Sequence, residues 1–152
     1  MSRTLFSVDI VPSLDSSPFP NVKHEPLEKL PIDKLQWISQ AVIDMYFNER
    51  KSSKGNIKGR RLFMCNFLKD CKFYKKDDNI YFIALCSAEM KKDVDYDVKI
   101  HVNYRECEIM KSYCRCPAGK GFSAACKHVI ALLYGLEYYA VTGRPKVTLQ
   151  HQ

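Results

Sequence analysis

Apolar residues recur along this chain in three successive rhythms. In "IDKLQWISQAVIDMYFNER", Leu35, Ile38, Val42 and Met45 return at helical steps, with Trp37 and Tyr46 beside the stripe. That spacing predicts a helix packed on the domain and entered at Pro31, whose fixed φ suits a first helical turn. The period then shortens. "RLFMCNFLKDCKFYKKDDNIYFIALCSAEM" holds short apolar and aromatic runs broken at "KKDDN", a hairpin turn signal. "YDVKIHVNYRECEIMKSYCRC" alternates, placing Val98, Ile100 and Val102 on one face. Together these predict four or five antiparallel strands. After Cys126 the helical period returns through Ile130, Leu133 and Leu136 or Glu137, and Gly143 followed by Pro145 stops it.

The stretches between these rhythms read as linkers. Residues 1 to about 30 carry Pro12, Pro18, Pro20 and Pro26 and little periodicity, which predicts an irregular or disordered arm. "RKSSKGNIKGRR", Arg50 to Arg61, has six bases and no acid, and its glycines and serines predict a mobile loop and not a helix. The expected fold is α+β: a small antiparallel sheet with an N-terminal helix and a metal-clasped strand-strand-helix finger near the C-terminus. The expected divisions are an arm over 1–30, a helix with strands over 31–97, the finger over 98–143 and a basic tail over 144–152.

The chemistry is concentrated in "CRCPAGKGFSAACKH". Four borderline-soft ligands in two pairs is how a short chain encloses a divalent transition metal. On a strand, Cys114 and Cys116 point to one side. In a helix, residues two apart diverge by about 200°. Cys126 must therefore sit at the helix entry, with His128 in the first turn and Ser123 as candidate N-cap. Pro117, Gly119 and Gly121 reverse the chain between the pairs. Three thiolates and an imidazole close a tetrahedral site, which makes one Zn²⁺ structural and leaves no position for a substrate water. Loss of the metal is expected to unfold the segment after about Asn103 first. Cysteine-histidine nucleophilic chemistry would leave two cysteines unused and is not expected. Cys107 lies on the opposite strand parity from the ligands in the absence of a bulge. It, Cys65, Cys71 and Cys86 read as small buried hydrophobes. His101 flanks a strand; His24 and His151 carry no argument.

"CRCPAGKGFSAACKHVIALLYGL" resembles the SWIM-type zinc finger, with "CPAG" after the second ligand and "CKHVIALL" opening the helix. The resemblance spans about residues 98–140. It implies zinc on Cys114, Cys116, Cys126 and His128, and a strand-strand-helix module that binds DNA or proteins. "GRRLFMCNFLKDCKFYKKDDNIYFIALC" is also similar to the region preceding a phage-type recombination exonuclease in animal proteins. This chain stops soon after the finger without a nuclease-like carboxylate cluster, so that activity is not assigned to it.

Composition adds direction to this picture. The 152 residues carry 24 basic and 17 acidic side chains, for a formal charge of +7, which favours a polyanionic partner. After Glu108 the bases Lys111, Arg115, Lys120, Lys127, Arg144 and Lys146 face only Glu137. The expected nucleic-acid contacts are Arg115, Lys120, Lys127 and Lys111, with Arg60 and Arg61 from the basic loop, made mainly to phosphates. Seven cysteines cannot all pair within one chain, and neither a secretory signal nor a membrane-length apolar run is present. The expectation is an intracellular, nuclear, non-enzymatic module with no membrane or small-molecule ligand, partnered by DNA. The alternative is a protein-interaction adaptor using Tyr134, Tyr138 and Tyr139 on the last helix.

Overall fold

The computed structural model describes residues 19–49, 55–89, 91, 93–116 and 126–144. Among the described residues, five strands form one antiparallel sheet in chain order: β1 (Glu25–Pro26), β2 (Leu68–Lys76), β3 (Asn79–Ser87), β4 (Asp95–Asn103) and β5 (Glu108–Cys114). Three α-helices among those residues accompany it: α1 (Gln40–Glu49), α2 (Gly55–Met64) and α3 (Lys127–Thr142). The α+β class expected from the pattern is present. So is the hairpin at "KKDDN", where Asp77 takes φ 57° between β2 and β3.

Alternation decides the two faces of the sheet. Ile80, Phe82, Ala84 and Cys86 of β3, and Val98, Ile100 and Val102 of β4, all point into the core. α3 fills that core. Val129, Ile130, Leu132, Leu133 and Leu136 are fully buried, at about 1.5–3 kcal/mol each for removal from water. Gly143 ends α3 in the left-handed region (φ 74°), and its N–H donates to Tyr139 O at 2.8 Å.

Two segments depart from their sequence reading. The expected helix after Pro31 divides. Ile32–Lys34 form one 3-10 turn, and α1 starts only at Gln40. The Ser39 hydroxyl accepts from Val42 N–H at 3.4 Å in capping geometry. The later start shifts the buried face to Ile43, Tyr46 and Phe47, leaving Met45 exposed and Val42 half-buried. The basic stretch, read as a loop, is helical from Gly55 onward. Gly59 lets α2 lie directly on α3, since a Cβ there would stand 2.5 Å from Ile130 Cβ and 2.9 Å from Lys127 O. Leu62 and Phe63 are buried one turn later. Packing on α3 overrides the poor helix propensity of this stretch. Arg50 to Lys54 lie outside the described residues.

The N-terminal arm also changes character. From Phe19 onward it packs on the domain: Phe19, Leu27 and Leu30 are buried, and Tyr139 Oη donates to Leu30 O at 2.6 Å. Residues 1–18, and the tail beyond Arg144, lie outside the described residues. Among the described residues, no helix is long and apolar enough to cross a membrane.

Candidate metal centre

The end of β5 and the entry of α3 bring the four ligand residues together. β5 delivers Cys114 at its last position, paired with Val98. Beyond the strand Arg115 N–H still donates to Asp97 O at 3.2 Å, and Arg115 is exposed while Cys116 is buried, so burial alternates through Cys116 and sets it on the side of Cys114. Cys126 is the N-cap of α3, with φ −71° and ψ 167°, and His128 follows in the first turn. The helix entry is therefore where the divergence of positions two apart requires it. Ser123, the expected cap, lies outside the described residues, as do Pro117, Gly119, Lys120 and Gly121.

The ligand atoms of Cys114, Cys116, Cys126 and His128 all lie within 4.8 Å of one another. His128 Nδ1 stands 3.7 Å from Cys126 Sγ. A tetrahedral zinc site with ordinary Zn–S and Zn–N bonds has an S···N edge of about 3.6 Å. Cys116 N–H donates to Cys114 Sγ at 3.5 Å, the kind of outer contact that supports a ligating thiolate. Cys114, Cys116 and His128 are buried. His128 Nε2 is buried with no hydrogen-bond partner among the described residues.

The thiols compete for charge. Hydrogen bonds from Cys114 and Cys126 hold Cys116 far below the usual thiol range. The same contacts with Cys116 and Cys126, together with burial, drive Cys114 far up. For Cys126, the bond with Cys114 pulls down, but the bond with Cys116 and burial outweigh it, giving about 11. A divalent cation is what ionises all three, and the donor set fits Zn²⁺.

Residues 94–135 match the SWIM zinc finger.

The SWIM segment takes in β4, β5, the four ligand residues and α3 as far as Gly135. No curated protein and no solved structure matches the chain. Four protein ligands close the coordination shell, so the SWIM zinc is structural. It ties the edge strand β5 to the helix that forms the core.

The other cysteines divide by environment. Burial pushes the Cys86 thiol up to about 12, with Cys126 adding to it, and burial pushes Cys71 to about 12 with help from Asp70. Both fit the reading as inert apolar fillers, although Cys71 is only partly buried. Cys65 and Cys107 do not, because both are exposed. Cys107 also escapes the parity argument. A register shift opposite His101/Val102 breaks the alternation of β5, and Cys107 lies before that strand in the turn, at φ 56°.

The bases singled out for phosphate contact are scattered. Arg115 pairs with Asp97 at 3.6 Å. Lys127 and Arg61 share Glu89, at 2.5 and 3.3 Å. The Lys127 hydrogen bond holds the Glu89 carboxyl below its usual range, with Arg61 contributing. Lys111 lies on β5 beside His101 of β4, and Arg60 is exposed on α2. Lys120 lies outside the described residues. Of the tyrosines read as an adaptor surface, Tyr134 and Tyr139 are buried and only Tyr138 reaches the rim. Sequence reasoning passed over the face of the sheet opposite the helices, although the alternation of β3 and β4 could have identified its residues.

Proposed function

We propose that this protein is a non-enzymatic, DNA-binding module of the nucleus, in which the SWIM zinc holds the fold and lysines and arginines meet phosphates. The carrying observation is the charge: +7 over 152 residues, combined with a zinc centre that is buried and closed by its own ligands. A closed centre has no coordination position for a substrate, which supports a binding role over a catalytic one. The metal-side bases are partly engaged. Arg115 and Asp97 are both well exposed, so that pair exchanges for a phosphate at little cost, whereas Lys127 is half-buried on Glu89. Contacts of this type read the backbone and not the bases.

Titration of the zinc-loaded protein with single-stranded and duplex DNA across a salt series tests this. The log of affinity is expected to fall by about 0.9 per neutralised duplex phosphate per log unit of salt. No binding of either form at low salt overturns the reading. The second reading, a protein adaptor, is favoured by one specific feature: Ile57 and Met64 of α2 and Val141 of α3 are strongly exposed on the helical side. A salt-insensitive protein complex lost on Val141→Asp would favour it.

A further inference from the structure

The face of the sheet opposite the helices carries an ordered row of rings and bases. Strand register places Tyr74, Tyr81, His101 and Lys111 directly across β2, β3, β4 and β5. The next outward-facing row is Lys72, Ile83, Lys99 and Tyr113. The buried row between them, Phe73, Phe82, Ile100 and Ser112, confirms that both rows share the opposite face. Tyr81 and His101 stack at 4.3 Å and 18°, and Tyr74 follows Tyr81 at 6.1 Å and 27°. His101 Nε2 lies 2.9 Å from Asn79 Oδ1, which fixes the imidazole in the row.

The segment before β1 covers part of this row: Phe19 is buried there, and the His24 ring lies 6.1 Å from Tyr74. Phe19 meets Tyr81 edge-on at 6.4 Å, and the Lys99 ammonium stands 5.9 Å from the centre of the Phe19 ring. One flat ring, held by an aromatic side chain and a cation, is already seated there. Beside it runs a groove of about 340 Å³ lined by Lys72, Ile83, Leu85 and Lys99 together with Asp70 and Asp97. Asp97 is paired with Arg115. The two rows contain three lysines and no acid, and Lys72, Lys99 and Lys111 form no ion pair among the described residues.

We infer that this face binds single-stranded DNA, with unpaired bases taking the places of Phe19 and His24 on the Tyr74–Tyr81–His101 row and phosphates meeting Lys72, Lys99 and Lys111. The inference rests on the DNA-binding reading above and sharpens it, moving the contact surface from the metal loop to the sheet. Rings without a base-reading helix favour an unpaired strand, because every base offers a π-face whereas a duplex hides its own. Burial and the neighbouring Lys111 lower the His101 pKa, so the ring stays neutral at physiological pH.

The test compares a thymidine 15-mer, its duplex and the uridine 15-mer on zinc-loaded protein. The single DNA strand is expected to bind tighter than the duplex, and Tyr81→Ala to weaken it roughly tenfold or more. Lys72→Gln, Lys99→Gln and Lys111→Gln together are expected to flatten the salt slope by about 2, at roughly 0.7 per single-strand contact. Should Tyr81→Ala misfold, photo-crosslinking of iodouridine DNA to the parent protein still decides: crosslinks must map to β2–β5. Duplex binding with crosslinks on α2 or the metal loop overturns the sheet-face inference and leaves the DNA reading intact. Failure of all three oligomers at low salt removes both. A preference for the uridine strand overturns the assignment to DNA.

Discussion

Chelating the zinc is the perturbation whose outcome the fold changes most. From the sequence, the finger looks like a C-terminal attachment that melts first and leaves the strands behind. In the structure its helix is the centre of the molecule. Val129, Ile130, Leu132, Leu133 and Leu136 are fully buried, and α2, the sheet and the Leu30 turn all rest on α3. Their burial contributes on the order of 7–15 kcal/mol, all of which is lost if the helix detaches. Apparent zinc binding in small fingers is on the order of 10–16 kcal/mol, and a whole domain is typically stable by about 5–15 kcal/mol. Releasing α3 alone would therefore cost about as much as the entire fold has to lose. The expected result is a single cooperative transition on adding a strong chelator. Far-UV circular dichroism would report the helices, Trp37 fluorescence the segment before α1, and a chromogenic dye the zinc. Trp37 packs against the same core, and its Nε1–H donates to Lys34 O at 2.9 Å, so its signal should change together with the helical signal. A stable state that has lost zinc and helix while keeping native Trp37 emission would refute the reasoning. So would an unchanged melting temperature after complete zinc removal.

Other perturbations probe separate contacts. Gly59→Ala forces a methyl to 2.5 Å from Ile130 Cβ and is expected to destabilise by about 1–3 kcal/mol in urea melts; a neutral result would mean α2 and α3 are not in close contact. Tyr139→Phe removes the donor to Leu30 O and should cost about 1–3 kcal/mol, with faster amide exchange near Leu30 as the local signature. Glu89→Gln should change stability by no more than about 1 kcal/mol, while releasing Arg61 and Lys127 to raise DNA affinity at low salt. Because Lys127 lowers the Glu89 pKa, the stability this carboxylate adds is full above the ordinary glutamate range. It vanishes as pH falls through the lowered value, so parent and variant should converge in acid and differ at neutrality. Cys107→Ser, an exposed turn position, should leave zinc affinity unchanged.

Local chemistry was legible without coordinates wherever one period or one spacing dominated. The alternation of Val98, Ile100 and Val102, the turn at "KKDDN" and the stop at Gly143 each follow from backbone geometry within a few residues. The four ligands were equally readable, because helical divergence forces Cys126 to the helix entry however the remainder of the chain folds. Where contacts span the chain, sequence alone gave the wrong state. Gly55–Met64 is helical because Gly59 fits against Ile130, some seventy positions later, and local propensity opposes that outcome. Phe19, Leu27 and Leu30 leave the supposed arm because Tyr139 and Tyr81 provide partners far along the chain. The ion pairs of Arg115, Lys127 and Arg61, and the ring row across four strands, depend on register and on which loops meet. Spacing along a chain determines what neighbouring residues can do together, whereas the burial of apolar surface between distant segments decides which residues become neighbours.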